Sequence, residues 1–366
     1  MRVMSVVGAR PQFVKLAPID RAFRDAGIEH IIVHTGQHYD PMLSDVFFTD
    51  LGISTPHAHL GIGSGSHGRQ TGAMLAALDG ILEEHQPDWV LVYGDTNSTL
   101  AAALSAVKMH IRVAHLEAGL RSFNRRMPEE HNRVLTDHAS DLLLAPTPTA
   151  MAHLRHEGLE ARSVCVGDVM TDILLAVRDQ VAERPSPVAN IVSGDGYHLA
   201  TIHRPDNTDS KERLEKIFDS LAQCADPVIL LAHPRLIAKC SEHGITIDRG
   251  NLVSHAPLSY PDLIAAACHA RSIITDSGGL QKEAFLLRVP TTTVRPETEW
   301  VETVDLGWNV LVEPGPDLVR AVQRPHPAPT NATPYGDGNA ATAVVQALIR
   351  AHKQEKETGG DRSASA

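Results

Sequence analysis

No stretch of this 366-residue chain approaches the roughly 20 apolar residues that span a bilayer, so insertion into a membrane is not expected. The apolar run at the start, Met1 to Gly8, is too short for a signal peptide and reads as a first strand, which makes a cytoplasmic protein the expectation. Cysteine is scarce. The 4 residues, Cys165, Cys224, Cys240 and Cys268, lie far apart without C-x-x-C spacing, which speaks against zinc or disulfides and for reduced thiols. Positive charge is also short: 33 Lys and Arg stand against 44 Asp and Glu, a formal charge of −11. Such a field repels nucleic acid and anionic lipid, so an anionic ligand needs a local cluster of Arg, Lys and His. Several motifs are missing as well. Gly8-Ala9-Arg10 is not G-x-G-x-x-G, and there is no Walker A loop, no H-E-x-x-H and no nucleophile elbow. Neither a nicotinamide cofactor nor a metal is expected.

What is present is an alternation of short apolar runs with helical patterns. Val3–Val7, Ile31–Val33, Trp89–Tyr93, Val113–Leu116, Leu142–Leu144 and Val164–Val166 read as strands. Pro11–Phe23, Gln70–Leu82 and Ser98–Met109 read as helices between them. The pattern restarts after Arg184-Pro185-Ser186-Pro187, with the hinge placed there or nearer Gly167-Asp168. Strands at Leu199–Thr201, Val228–Leu231, Leu252–Val253 and Ser272–Thr275 follow, with helices at Lys211–Ala222 and Tyr260–Cys268, and a last helix at Ala340–His352. Strands alternating with helices imply a parallel sheet covered on both faces. At this length two domains are the natural prior. The expected fold is α/β: a Rossmann-like domain over 1–170, a second over 171–339, and a disordered tail over 353–366.

One stretch, Thr275-Asp276-Ser277-Gly278-Gly279-Leu280-Gln281-Lys282-Glu283, has the form of an anion-binding turn. A strand ending in Asp-Ser-Gly-Gly and opening a helix leaves free N–H groups, and the glycines permit close approach. Glu283, one turn in, could reach a ribose hydroxyl. The plainer alternative is an ordinary βα turn capped by Ser277. In open α/β sheets, ligands sit beyond the carboxyl ends of the strands, and charged residues recur on that edge here. They are Arg10 with Lys15, Gln37-His38, Asp95, Glu117, His203-Arg204 and His233. Asp95 taken alone is as well explained as a helix N-cap. Glu129 and Arg133 are spaced i, i+4, either a solvated surface pair or a carboxylate whose pKa a fixed cation holds. Carboxylates and cations around an anionic ligand suit general acid–base chemistry at a sugar whose leaving group is a diphosphate.

GARPQFVK (8–15), TGQHYD (35–40), YGDTNST (93–99), HLEAGLRS (115–122) and MPEEHNRVLTDH (127–138) resemble the non-hydrolysing UDP-N-acetylglucosamine 2-epimerases. GDVMTD (167–172), HRPDN (203–207), TDSGGLQKEA (275–284) and ETEWVET (297–303) extend the resemblance, in the family's order, over about residues 1 to 350. It implies two Rossmann-like domains facing across a cleft as in GT-B glycosyltransferases, with UDP held mainly by the second. The last helix, 340–352, would pack back on the first domain. It implies inversion of C2 of UDP-GlcNAc to UDP-ManNAc without a cofactor, by elimination of UDP to a 2-acetamidoglucal and re-addition. By family position Asp95, Glu117 and Glu129 would be the acid–base set, with His203 beside the leaving group. Arg10, Lys15 and Arg133 would orient substrate. Ser277, Gly278 and Gly279 would hold the diphosphate, Glu283 the ribose, and Arg295 would be a further cation. A UDP-sugar is the implied substrate and a homodimer the implied assembly. Gln37-His38-Tyr39-Asp40 departs from the Gln-His-x-x-Gln of the family's allosteric site, although Arg69 is present. HTGQHYD, SGSHGRQTG, QKEAF and TEWVE also resemble a sister branch acting on UDP-2,3-diacetamido-2,3-dideoxyglucuronic acid. A GT-B glycosyltransferase and a UDP-sugar sensor are the readings from other classes; neither calls for the Asp95, Glu117 and Glu129 trio.

Overall fold

The structure, a computed structural model, describes residues 1–37, 52–63, 65–191 and 196–360, without the side chains of residues 10 and 355–360. Its contacts divide it into two compact units, Met1–Ile173 with Thr333–Ala366, and Leu174–Ala332. In the first, β1 (Arg2–Val7), β2 (Glu29–His34), β3 (Ala58–His59), β4 (Trp89–Tyr93), β5 (Arg112–Leu116), β6 (Leu142–Ala145) and β7 (Ser163–Cys165) form one parallel sheet. Among the described residues its order is β3-β2-β1-β4-β5-β6-β7. Trp89-Val90-Leu91-Val92-Tyr93 is buried along its whole length, as a central parallel strand covered on both faces must be. The helices are α1 (Arg10–Asp25), α2 (His67–His85), α3 (Asn97–Lys108), α4 (Pro128–Ala139), α5 (Pro148–His156) and α6 (Val169–Val181).

The second unit carries β8 (His198–Thr201), β9 (Val228–Leu231), β10 (Leu252–His255), β11 (Ser272–Thr275), β12 (Thr291–Thr293) and β13 (Asn309–Leu311). They are parallel in the order β10-β9-β8-β11-β12-β13. Its helices are α7 (Pro205–Thr208), α8 (Lys211–Ala222), α9 (Pro234–His243), α10 (Tyr260–His269), α11 (Gly278–Leu286), α12 (Val301–Asp305) and α13 (Pro316–Val322). Both sheets are doubly wound, so the fold class is the expected α/β pair of Rossmann-like domains. Each has a point where the strand order reverses, β1 against β4 and β8 against β11. Crevices open at the carboxyl ends of such pairs.

The chain returns to the first unit through α14 (Ala340–Gly360), whose Val344, Val345 and Leu348 share a core with Phe13 and Leu16 of α1. Each such side chain, fully buried, is worth about 1.5–3 kcal/mol. The helix continues to Gly360, whereas the tail was expected to lose order from Lys353. Lys353-Gln354-Glu355-Lys356-Glu357 consists of good helix formers, which extend a helix already nucleated by its buried first turns. Residues 361–366 lie outside the described ones. No described helix is long and apolar enough to cross a membrane.

Candidate active site

The reversal point of the first sheet collects the first group of expected residues. Lys15, on α1, is ion-paired with Glu117, which follows β5. Burial alone would lower the Lys15 pKa. Glu117, and more weakly Asp168 and Asp95, outweigh it and hold the ammonium above its ordinary value. Asp95 follows β4, and its Oδ2 accepts from Arg133 Nε at 3.0 Å and Nη2 at 2.6 Å. Asp95 is not the N-cap of α3. Thr96 is, its hydroxyl accepting from the N–H of Thr99 at 3.3 Å, so the Asp95 carboxylate is available for Arg133. Glu117 has a φ of 69°, the left-handed region a non-glycine residue seldom adopts. Such backbone is found where the surroundings impose it, commonly at functional sites. Glycine is favoured at Gly94 opposite: a Cβ there would lie 3.0 Å from Glu117 Oε2, and its own φ is 62°.

The expected pairing of Glu129 with Arg133 is not made. Arg133 Nη1 donates instead to Glu130 Oε2 at 2.8 Å, one residue closer, and Glu129 is half-buried on the same helix. Glu130 is buried because it also accepts from Ser122 N, Ser122 Oγ and Phe123 N, each at 2.9 Å. Burial would raise its pKa, but those bonds and Arg133 leave it below the ordinary carboxylate value. Glu130 thus fixes the 122–123 turn and the Arg133 rotamer. The i, i+3 spacing was visible, but its partners come from a loop that periodicity cannot place. Arg10 opens α1, with its side chain outside the described part; His38, Tyr39 and Asp40 also lie outside it. Arg69 is on α2 and exposed.

The glycine turn that opens α1 is closed to anions. Gly8 N and Ala9 N donate to Gln12 Oε1 at 2.8 and 3.0 Å. The turn that opens α11 differs. Ser277 stands at its N-cap and makes no side-chain cap bond, contrary to the plainer Ser-cap alternative. The first N–H groups of any helix lack intrahelical acceptors, so those of Gly278 and Gly279 face outward along the dipole. A Cβ on Gly278 would lie 2.1 Å from Glu299 Oε1, whereas one on Gly279 would meet nothing within 4 Å. A side chain at 278 would have to displace the Glu299 carboxylate. Gly279 has no such neighbour, and its N–H side stands open. Gly279→Ala should leave thermal stability unchanged or slightly raised, because Ala is the better helix residue by about 0.8–1 kcal/mol. Its Cβ, standing where an anion would approach the turn, should weaken binding of UDP, the ligand the resemblance implies, by about tenfold. Calorimetric titration with UDP decides, and undiminished affinity removes Gly279 from the grip.

Asp276 anchors the remainder of the second unit's group. It is fully buried and accepts from His203 N at 3.1 Å, Arg204 N at 3.0 Å and Asn207 Nδ2 at 3.0 Å. Its carboxylate also lies 3.2 Å from His203 Nδ1. Burial alone would raise the Asp276 pKa; His203, Asn207 and the Arg204 N–H overcome that and lower it. An ionised Asp276 makes Nδ1 the donor, which leaves Nε2 of a half-exposed ring for another partner. The sequence reading assigned no role to Asp276. Its signal was an acid between a buried strand and the glycines. Glu283, one turn into α11, accepts from Tyr260 Oη at 3.1 Å. Burial, and then Glu283, push the Tyr260 phenol far up, so it stays a donor. Arg295 is buried, its Nη1 3.0 Å from Glu299 Oε2.

Two doubly wound units, one presenting cation-paired carboxylates and the other an open anion turn beside an oriented histidine, have the make-up of an enzyme acting on nucleotide sugars. The chain belongs to the UDP-N-acetylglucosamine 2-epimerase family, whose sequence model matches residues 21–349, and it is an isomerase of that family. It is 45% identical to a UDP-N-acetylglucosamine 2-epimerase homolog of Methanococcus maripaludis, over 95% of this chain and 99% of that one. It is 42% identical to the UDP-2,3-diacetamido-2,3-dideoxy-D-glucuronate 2-epimerase of Pseudomonas aeruginosa, over 96% of this chain and 100% of that one. The structure of the Methanocaldococcus jannaschii UDP-GlcNAc 2-epimerase, in complex with UDP-GlcNAc and UDP, is similar at a TM-score of 0.80 and 39% identity. That likeness covers 96% of this chain and 100% of the other.

Proposed function

We propose that the protein inverts C2 of UDP-N-acetylglucosamine to give UDP-N-acetylmannosamine. The observation that carries this is the pair Asp95 and Glu117, each bound to its own cation, Arg133 and Lys15, at neighbouring strand ends. The C2 proton of a sugar is not acidic, so the route is elimination. The C2–H bond breaks and its proton passes to a carboxylate, while the C1–O bond breaks and its electron pair leaves with UDP. A C1=C2 bond forms in a 2-acetamidoglucal. UDP oxygen then adds back to C1, and a proton is delivered to the opposite face of C2. Atoms and electrons balance without an oxidant.

Two faces need two proton-transfer groups, drawn from Asp95, Glu117 and Glu129. Lys15 and Arg133, with Arg10, orient substrate and keep the neighbouring carboxylates in place. On the second unit Ser277, Gly278 and Gly279 hold the diphosphate, Arg295 offsets its charge, and Glu283 takes the ribose. His203 Nε2 serves the departing phosphate oxygen, its ring set by Asp276. Incubation with UDP-GlcNAc in D2O should place deuterium at C2 of both epimers, and a sugar recovered unlabelled and unchanged would sink the reading. The 42% identity to the diacetamido-glucuronate enzyme supports a second reading, the same inversion on that uronate. A panel of the two sugars separates them, the true substrate showing the higher kcat/KM.

A further inference from the structure

His115 lies on β5 beneath the carboxylates and is fully buried, and the reaction scheme leaves it without a role. Its Nδ1 is 2.7 Å from Asp137 Oδ1 and its Nε2 is 2.7 Å from the Gly94 carbonyl oxygen. A carbonyl oxygen only accepts, so Nε2 carries a proton. The Asp137 carboxylate already accepts from the Gly119 N–H at 3.0 Å and from Arg121 Nη2 at 2.7 Å. With those two donors on it, one of them the Arg121 guanidinium, Asp137 is ionised and accepts from Nδ1 too. A ring that donates from both nitrogens is an imidazolium.

Burying an ion pair is seldom the cheapest way to fill a core, and apolar side chains of like volume often serve stability as well or better. The connections made here are specific. The Gly94 carbonyl belongs to the peptide bond that precedes Asp95. The Gly119 N–H belongs to the turn in which Glu117 takes its left-handed conformation. Asp137, on α4, lies one turn beyond Arg133, the residue that clamps Asp95. We propose that His115 is a positioning residue, an imidazolium that ties the Asp95 turn, the Glu117 turn and α4 together and so sets the spacing of the two proton-transfer carboxylates. It touches no substrate and acts through them.

The kinetic part of the test rests on the epimerase reading; the structural part does not. Neutron diffraction of the deuterium-exchanged wild-type protein should show deuterium on both Nδ1 and Nε2 of His115. A bare nitrogen at either position overturns the proposal. His115→Gln is neutral, and with both its donors on one nitrogen it does not span the two partners that Nδ1 and Nε2 reach. It should keep its UDP affinity, which belongs to the second unit, and its KM, while kcat falls about 100-fold, the usual cost of a misplacement near 1 Å. A kcat within about threefold of wild type, or a UDP affinity that falls in step with kcat, overturns it. Wild-type protein that exchanges no deuterium at C2 would instead remove the epimerase reading, leaving the diffraction result to decide the state of His115.

Discussion

Asp95→Asn should cut turnover by about 10³-fold, within the range that removal of a general acid or base costs, while UDP binds as before. Asn matches Asp in shape and still offers Arg133 a carbonyl oxygen, so the Nε and Nη2 bonds can persist. What it lacks is the ability to take a proton. The measurement is kcat with UDP-GlcNAc together with calorimetric UDP titration; undiminished turnover removes Asp95 from the mechanism. Glu117→Gln gives a useful contrast. It removes a carboxylate and also the partner that keeps Lys15 charged against burial. The Lys15 pKa should then fall, and the kcat profile of Glu117→Gln should lose activity on its alkaline side earlier than that of Asp95→Asn. The sign follows because burial, the largest influence on Lys15, acts downward and only Glu117 and the more distant carboxylates oppose it.

The strands most legible in the sequence were those whose residues need no neighbour to explain them. Trp89–Tyr93, Val228–Leu231 and Ser272–Thr275 are unbroken buried runs, and they fall where the apolar pattern places them. Thr291–Thr293 and Asn309–Leu311 are not legible, because runs of three residues carry no periodicity. The helix Val169–Val181 lies where the boundary is expected, and the two units divide inside it, between Ile173 and Leu174; its apolar face of Val169, Ile173 and Leu174 is masked in the sequence by the punctuation of Gly167 and Asp168. The proposed site divides in the same way. That Asp95, Glu117, His203 and Ser277 stand at strand ends is legible from the apolar pattern. The roles of Glu130, His115 and Asp137 are not, because they depend on partners that topology alone supplies. His115 and Asp137 are 22 residues apart, on different elements. The one local sign was a histidine inside an otherwise apolar strand, Val113-Ala114-His115-Leu116.

Asp137→Asn tests whether that buried network also holds the fold. Asp137 is fully buried and faces two buried cations, His115 and Arg121, and Arg121 shares itself with Glu157 at 2.7 Å. Removing the charge leaves both cations under-compensated, and breaking a buried pair in this way costs about 3–5 kcal/mol. For a unit of this size the melting temperature should drop on the order of 10 °C. The loss depends on pH. Burial would raise the Asp137 pKa, but His115 and Arg121 outweigh it and depress it. A depressed folded-state pKa contributes stability that is fully present above the unfolded value, about 3.9, and is lost as pH falls through the folded value. The gap between wild type and Asp137→Asn should therefore shrink below about pH 4. Asp20, Glu130 and Asp276 are depressed as well, so the wild type keeps an acid limb of its own. Thermal melts of both proteins between pH 3 and pH 7 make the comparison. A gap that stays constant across that range would mean that Asp137 acts by shape and not by charge, and the imidazolium assigned to His115 would lose its counter-ion.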